Sequence, residues 1–135
     1  TRLGGSEMCI RDSPCPLEVL PERAVCLPYL AALLRLADEL DIAFDRNFSF
    51  LYDPEHMVHA KDRFEFKKHR SIRRVELLAD RVVVTAVADD AEIRVGIEET
   101  VEKLRKTLLY CRAVTAARTD FVIHQSEVEL DLTTV

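Results

Sequence analysis

Tryptophan is missing from this sequence and glycine is scarce, with three glycines in 135 residues. So few glycines leave few places for the tight turns of an all-β sandwich, which disfavours that architecture. No apolar run approaches the ~18 residues that a membrane span needs, and no signal-peptide pattern is present. The expectation is a cytoplasmic protein with no membrane association. Four cysteines contain no C-x-x-C pair, so they read as reduced thiols and not as a disulfide framework or a zinc site. The formal charge is −5, from 19 basic and 24 acidic residues, which disfavours nucleic acid as a partner. A Gly-rich phosphate loop, a serine elbow and a Cys-His nucleophile pattern are all missing from the sequence.

What is there is the composition of a globular protein, 48% apolar and 32% charged. Its length suits one ordinary domain or two very small ones. Residues 14–28 hold four of the five prolines and read as an irregular lead-in. Pro28 then suits the first turn of a helix, where its missing N–H would have no partner anyway. Residues 29–42 (YLAALLRLADELDI) place Leu30, Leu33, Leu34, Ala37, Leu40 and Asp41 at helical spacing, which predicts a broad buried apolar face. Asp38 falls close to that face, four residues after Leu34. A carboxylate there costs several kcal/mol unless it is paired or bound to a metal. Asp53, Pro54 and Glu55 form a second helix start, predicting a helix over residues 54–68.

The second half changes period. Val75 and Leu77 alternate with Arg74 and Glu76, and Val82, Val84 and Ala86 repeat the pattern after Ala79 and Asp80, predicting a β-hairpin. Ile97, Val101, Leu104, Leu108 and Cys111 then mark an amphipathic helix ending near Arg118. Phe121 and Ile123, then Val128, Leu130 and Leu132, predict a final extended segment with a bulge or break over residues 124–127. The expected fold is α+β, with helices followed by a β-β-α-β layer. The divisions expected are residues 14–70, helical, and residues 71–135, a small α+β domain.

Residues 33–42 (LLRLADELDI), followed by Asp45 and Arg46, resemble the last helix of HD-domain metal-dependent phosphohydrolases. That resemblance implies an all-helical bundle whose metal sits on a histidine, a His-Asp doublet and a final aspartate. Asp38 matches the final aspartate, in the A-D-x-x-D segment. Asp41 and Arg46 are then the groups beside the metal or the substrate. The implied cofactor is a divalent cation, Mn, Fe or Mg, which would activate a water against a phosphate ester. The implied substrate is a nucleotide or another phosphorylated small molecule. The wording around Asp38 is most similar to bacterial HD domains found beside chaperone-type (GHKL) ATPases, in which an α+β tail follows the helices. Lys68 and His69 are similar to their histidine-tryptophan junction, with Arg70 in place of the tryptophan. No histidine precedes Asp38, and no His-Asp doublet occurs in the chain. Without such a role, Asp38 is a structural carboxylate paired with Arg35 or Arg46, or a surface acid.

Two further sets of residues carry chemistry. His56 and His59 stand one turn apart, with Asp53 and Asp62 nearby, so a metal pair is conceivable, although a solvated helix face is the commoner arrangement. Residues 61–74 hold seven Lys or Arg against Asp62 and Glu65, a net of five positive charges. Lys67, Lys68 and Arg70 are its candidate phosphate-binding residues. The same cluster also reads as a solvated face offsetting the acidic stretch 89–102. Cys111 lies on its helix's apolar stripe and reads as core.

Residues 5–13 resemble one translated frame of a transposon-end sequencing adapter, which implies that residues 1–13 are an artefact outside the fold. By the same reasoning the chain is expected to be a C-terminal fragment of an HD-domain phosphohydrolase, inactive as it stands. The other expectation is a non-catalytic regulatory module that docks on an ATPase partner through its α+β tail.

Overall fold

In the computed structural model, residues 17–20, 23–43 and 58–135 are described. In chain order they form β1 (Leu17–Leu20), β2 (Arg23–Cys26), α1 (Leu27–Leu40), α2 (Ala60–Ser71), β3 (Ile72–Leu77), β4 (Arg81–Ala88), α3 (Ala91–Arg118) and β5 (Glu127–Thr134). The class is α+β, as expected.

Alternation makes β4 the central strand. Val82, Val84, Ala86 and Ala88 are buried on one face, while Arg81, Val83, Thr85 and Val87 are half-buried on the other. β3 pairs with it antiparallel, with Val75 opposite Val84, and a register shift lies between Ile72 and Arg74. β5 pairs with it in parallel, from Arg81 opposite Glu127 to Ala88 opposite Thr134. A parallel neighbour requires a crossover, and α3 supplies it as a 28-residue helix of about 42 Å. Asp90 caps α3, its carboxylate accepting the Ile93 N–H at 2.8 Å. The helix therefore starts six residues before Ile97, the first position of the expected stripe. Ile97, Val101, Leu104, Leu108 and Cys111 are all buried, so that stripe is where periodicity placed it.

Three expectations are corrected. The proline-rich lead-in contains an antiparallel pair, β1 with β2, in which Leu17 faces Cys26. The second helix begins at Ala60, behind the cap position His59, and runs on to Ser71; Asp53, Pro54 and Glu55 lie outside the described residues. Phe121–Ile123 is not strand, and β5 starts only at Glu127, after the expected break.

The largest correction concerns α1. Its buried residues are Pro28, Ala31, Ala32 and Leu36, whereas Leu30, Leu33 and Leu34 are exposed, Leu34 by 56%. The physical reason is close approach. α1 runs antiparallel to α3, and the alanines let the two backbones come together. Cross-links along this seam are Tyr29 stacked on Phe121 (4.5 Å between ring centres), Arg35 over the Tyr110 ring (5.2 Å) and Glu39 with Lys103 (3.4 Å). Ala32, Leu36 and Ile42 thereby join the same core as β4 and α3. α2 closes the other end, where Phe64 and Lys68 lie over Gly96, the glycine of α3, at which a Cβ would stand 2.8 Å from the Phe64 Cζ.

Candidate functional site

Asp38 projects from the last turn of α1 and is exposed, as are Asp41 and Ala37. This differs from the expectation that Asp38 lies close to a buried face: that face is the one left open. The helix ends at Asp41, whose N–H reaches the Asp38 carbonyl at 3.4 Å. Leu30, Leu33 and Leu34 continue the exposed surface away from the two carboxylates, so an apolar stripe runs into an acidic end.

The chain beyond that end meets α2. His69 Nδ1 lies 3.5 Å from the Ile42 carbonyl oxygen, and its Nε2 lies 3.8 Å from Glu65. The acidic end of α1 and the basic C-terminal half of α2 are thus neighbours, joined through His69. Lys68 is largely enclosed, its side chain 13% exposed, with Nζ 2.7 Å from Glu65 and 6.0 Å from the centre of the Phe64 ring. The hydrogen bond from Lys68, helped by its charge and that of His69, holds the Glu65 carboxyl below its usual range. Lys67 and Arg70 are exposed, and no described carboxylate pairs with either. Two of the three candidate phosphate-binding cations therefore stand open to solvent, and the third is engaged by Glu65. Arg74 of the same basic run binds Glu76 at 2.6 Å.

Arg46 and His56 lie outside the described residues. His59, at the cap of α2, is exposed. Among the described residues, no group of three or more His, Cys, Asp or Glu side chains comes together as a metal site. Asp38 supplies one carboxylate, and the described residues do not complete a ligand set around it. No described helix is long and apolar enough to cross a membrane.

Sequence reasoning missed two positions that organise this region. Gly96 admits Phe64 and Lys68; a lone glycine inside a helical pattern was the available signal. Arg105 donates from Nε (3.1 Å) and Nη2 (3.0 Å) to the Val128 carbonyl, which no local pattern reveals across 23 residues.

No curated protein and no solved structure matches this chain. A family model described as HD-CE matches residues 8–117, which include α1 with Asp38, α2, β3, β4 and most of α3. With more than half of its length matched, this chain belongs to the HD-CE family and carries an HD-type domain.

Proposed function

We propose that this chain is the C-terminal part of an HD-domain metal-dependent phosphohydrolase acting on a nucleotide or another phosphate ester, and that it is inactive in this form. Membership of the HD-CE family together with the exposed Asp38 carries the reading. Asp38 is one ligand of a divalent cation (Mn, Fe or Mg), and the remaining ligands come from a preceding segment that packs on the open stripe of α1. An exposed carboxylate at the end of an apolar helix face is what such packing would enclose. By the same resemblance, Asp41 and Arg46 would be the groups beside the metal or the substrate. Lys67 and Arg70, exposed on the neighbouring α2, would attract a phosphate, and Lys68, on Glu65, would support them.

The test compares this chain with a longer form that carries its upstream genomic sequence. The longer form is expected to bind Mn²⁺ stoichiometrically in calorimetry, to hydrolyse nucleotides, and to lose both on Asp38→Ala. This chain alone is expected to bind Mn²⁺ no better than a surface acid does. Stoichiometric binding by this chain that Asp38→Ala abolishes overturns the fragment reading.

The exposed apolar stripe also favours a second reading, a non-catalytic module that docks on an ATPase partner. An upstream sequence with neither a histidine nor a His-Asp doublet selects that reading over the enzyme.

A further inference from the structure

We infer that the outer edge of β5 is a docking strand for an extended peptide in which basic and apolar residues alternate. Three independent features meet there. The first is the backbone. Val135 donates its N–H to Ala88 at 3.2 Å, and the Val128 carbonyl is taken by Arg105 from the opposite side. In a parallel ladder successive residues turn their N–H and C=O groups to opposite sides. Leu130 and Leu132 therefore present theirs to the outer edge, and no described strand lies beyond β5. The register with β4 is uninterrupted over all eight residues, so the edge is long and regular. Edges of this kind are usually blunted by proline, charged side chains or a bulge. β5 has no proline and no bulge, and its charges are all acidic, so they repel a like strand but not a basic one. The opposite edge, β3, is shorter and carries a register shift beside Arg73 and Arg74.

The second feature is a groove of about 310 Å³ between the start of β5 and α3, lined by Arg105, Leu108, Leu109, Ser126, Glu127 and Val128. Leu109 is 58% exposed at its mouth. Strand addition takes affinity from main-chain hydrogen bonds and specificity from pockets for alternate side chains, and this groove lies on the helix-covered side of the added strand. Apolar side chains of the peptide belong there.

The third feature is charge. Glu127, Glu129 and Asp131 stand opposite Arg81, Val83 and Thr85, on the sheet face away from Val82, Val84 and the α3 core, and all three acids are exposed. Arg81 neutralises Glu129 at 3.1 Å, leaving the row acidic on balance. An added strand would set its own alternate residues beside these carboxylates, so lysine or arginine fits and glutamate does not. The two faces together specify an apolar-basic alternation. This inference does not depend on the phosphohydrolase reading.

The test uses the full chain and a fluorescein-labelled peptide of alternating lysine and valine or leucine, with a block peptide of the same composition as control. Anisotropy should show the alternating peptide binding at least tenfold more tightly than the block peptide. Amide exchange should slow at Leu130 and Leu132 on binding. Leu109→Glu and Asp131→Lys, both at exposed positions, should each weaken binding about tenfold, and Asp131→Lys should improve binding of a peptide with glutamate in place of lysine. Equal affinity for the block peptide overturns the inference, as does unchanged exchange at Leu130 and Leu132. Protection of those amides by self-association, without peptide, also overturns it and assigns the edge to a second copy of the chain.

Discussion

Phe64 fills the space that a side chain at position 96 would need: a Cβ on Gly96 would stand 2.8 Å from its ring and 3.1 Å from the Lys68 Cδ. This contact seats α2 on α3 and holds the basic residues of α2 beside the C-terminal end of α1. Gly96→Ala sets two effects against each other. Alanine favours a helix interior by about 1 kcal/mol over glycine, while overpacking costs about 1–3 kcal/mol. Because the obstructing atom belongs to a stiff ring, overpacking should win, and Tm should fall by a few degrees. In a Phe64→Leu background the same substitution should be neutral or stabilising. Thermal melts of the four chains check this, and a stabilising Gly96→Ala in the unaltered chain would refute the packing argument.

The ion pair of Glu65 with Lys68 should make a small, pH-dependent contribution. The folded-state pKa of Glu65 is lowered, chiefly by the hydrogen bond from Lys68. The stabilisation is therefore complete above the ordinary glutamate pKa of ~4.3 and is lost as pH falls through the lower folded value. Glu65 is 44% exposed, so solvent screening keeps the effect below about 1 kcal/mol. Glu65→Gln should be slightly less stable at neutral pH and equal to the unaltered chain in strong acid. Denaturant titrations at several pH values measure the difference; a gap that widens on acidification would contradict it.

Cys111 should react only when the fold opens. It is fully buried, and burial raises its thiol pKa, with the nearby Arg35 opposing the shift. The thiolate is the reactive form, so enclosure and the raised pKa act in the same direction. Alkylation followed by mass spectrometry at pH 8 should label Cys111 much more slowly in the native chain than in urea. Rapid native labelling would mean that the seam between α1 and α3 opens readily.

Protection from amide exchange should be uneven. Residues 82–88 and 101–111 lie at the centre of the core, whereas α1 is covered on one side only. Residues 30–40 should therefore exchange faster than both segments. If residues 30–40 exchange slowest, the open stripe is covered in solution and needs no additional segment.

Much of the fold is legible in local pattern. The alternation of Val82, Val84 and Ala86 is a strand whatever lies around it, because period two places those side chains on one face. The spacing of Ile97, Val101, Leu104, Leu108 and Cys111 likewise determines both a helix and its buried side. The Asp38 segment carries enough family-specific wording to be read as HD-type, and the family match agrees.

Pattern failed wherever the outcome depended on a partner distant in sequence. In α1 the leucines at 30, 33 and 34 form the more hydrophobic face, yet the face with Ala31 and Ala32 is packed and carries Leu36 in with it, because small residues let α3 approach closely. The parallel pairing of β5 with β4, the grip of Arg105 on Val128 and the meeting of His69 with Ile42 arise the same way. Sequence by itself determined the periodic elements and the family, because short-range sterics and burial periodicity act within a few residues. Only the tertiary structure decided which faces are covered, since that depends on how closely distant backbones can approach.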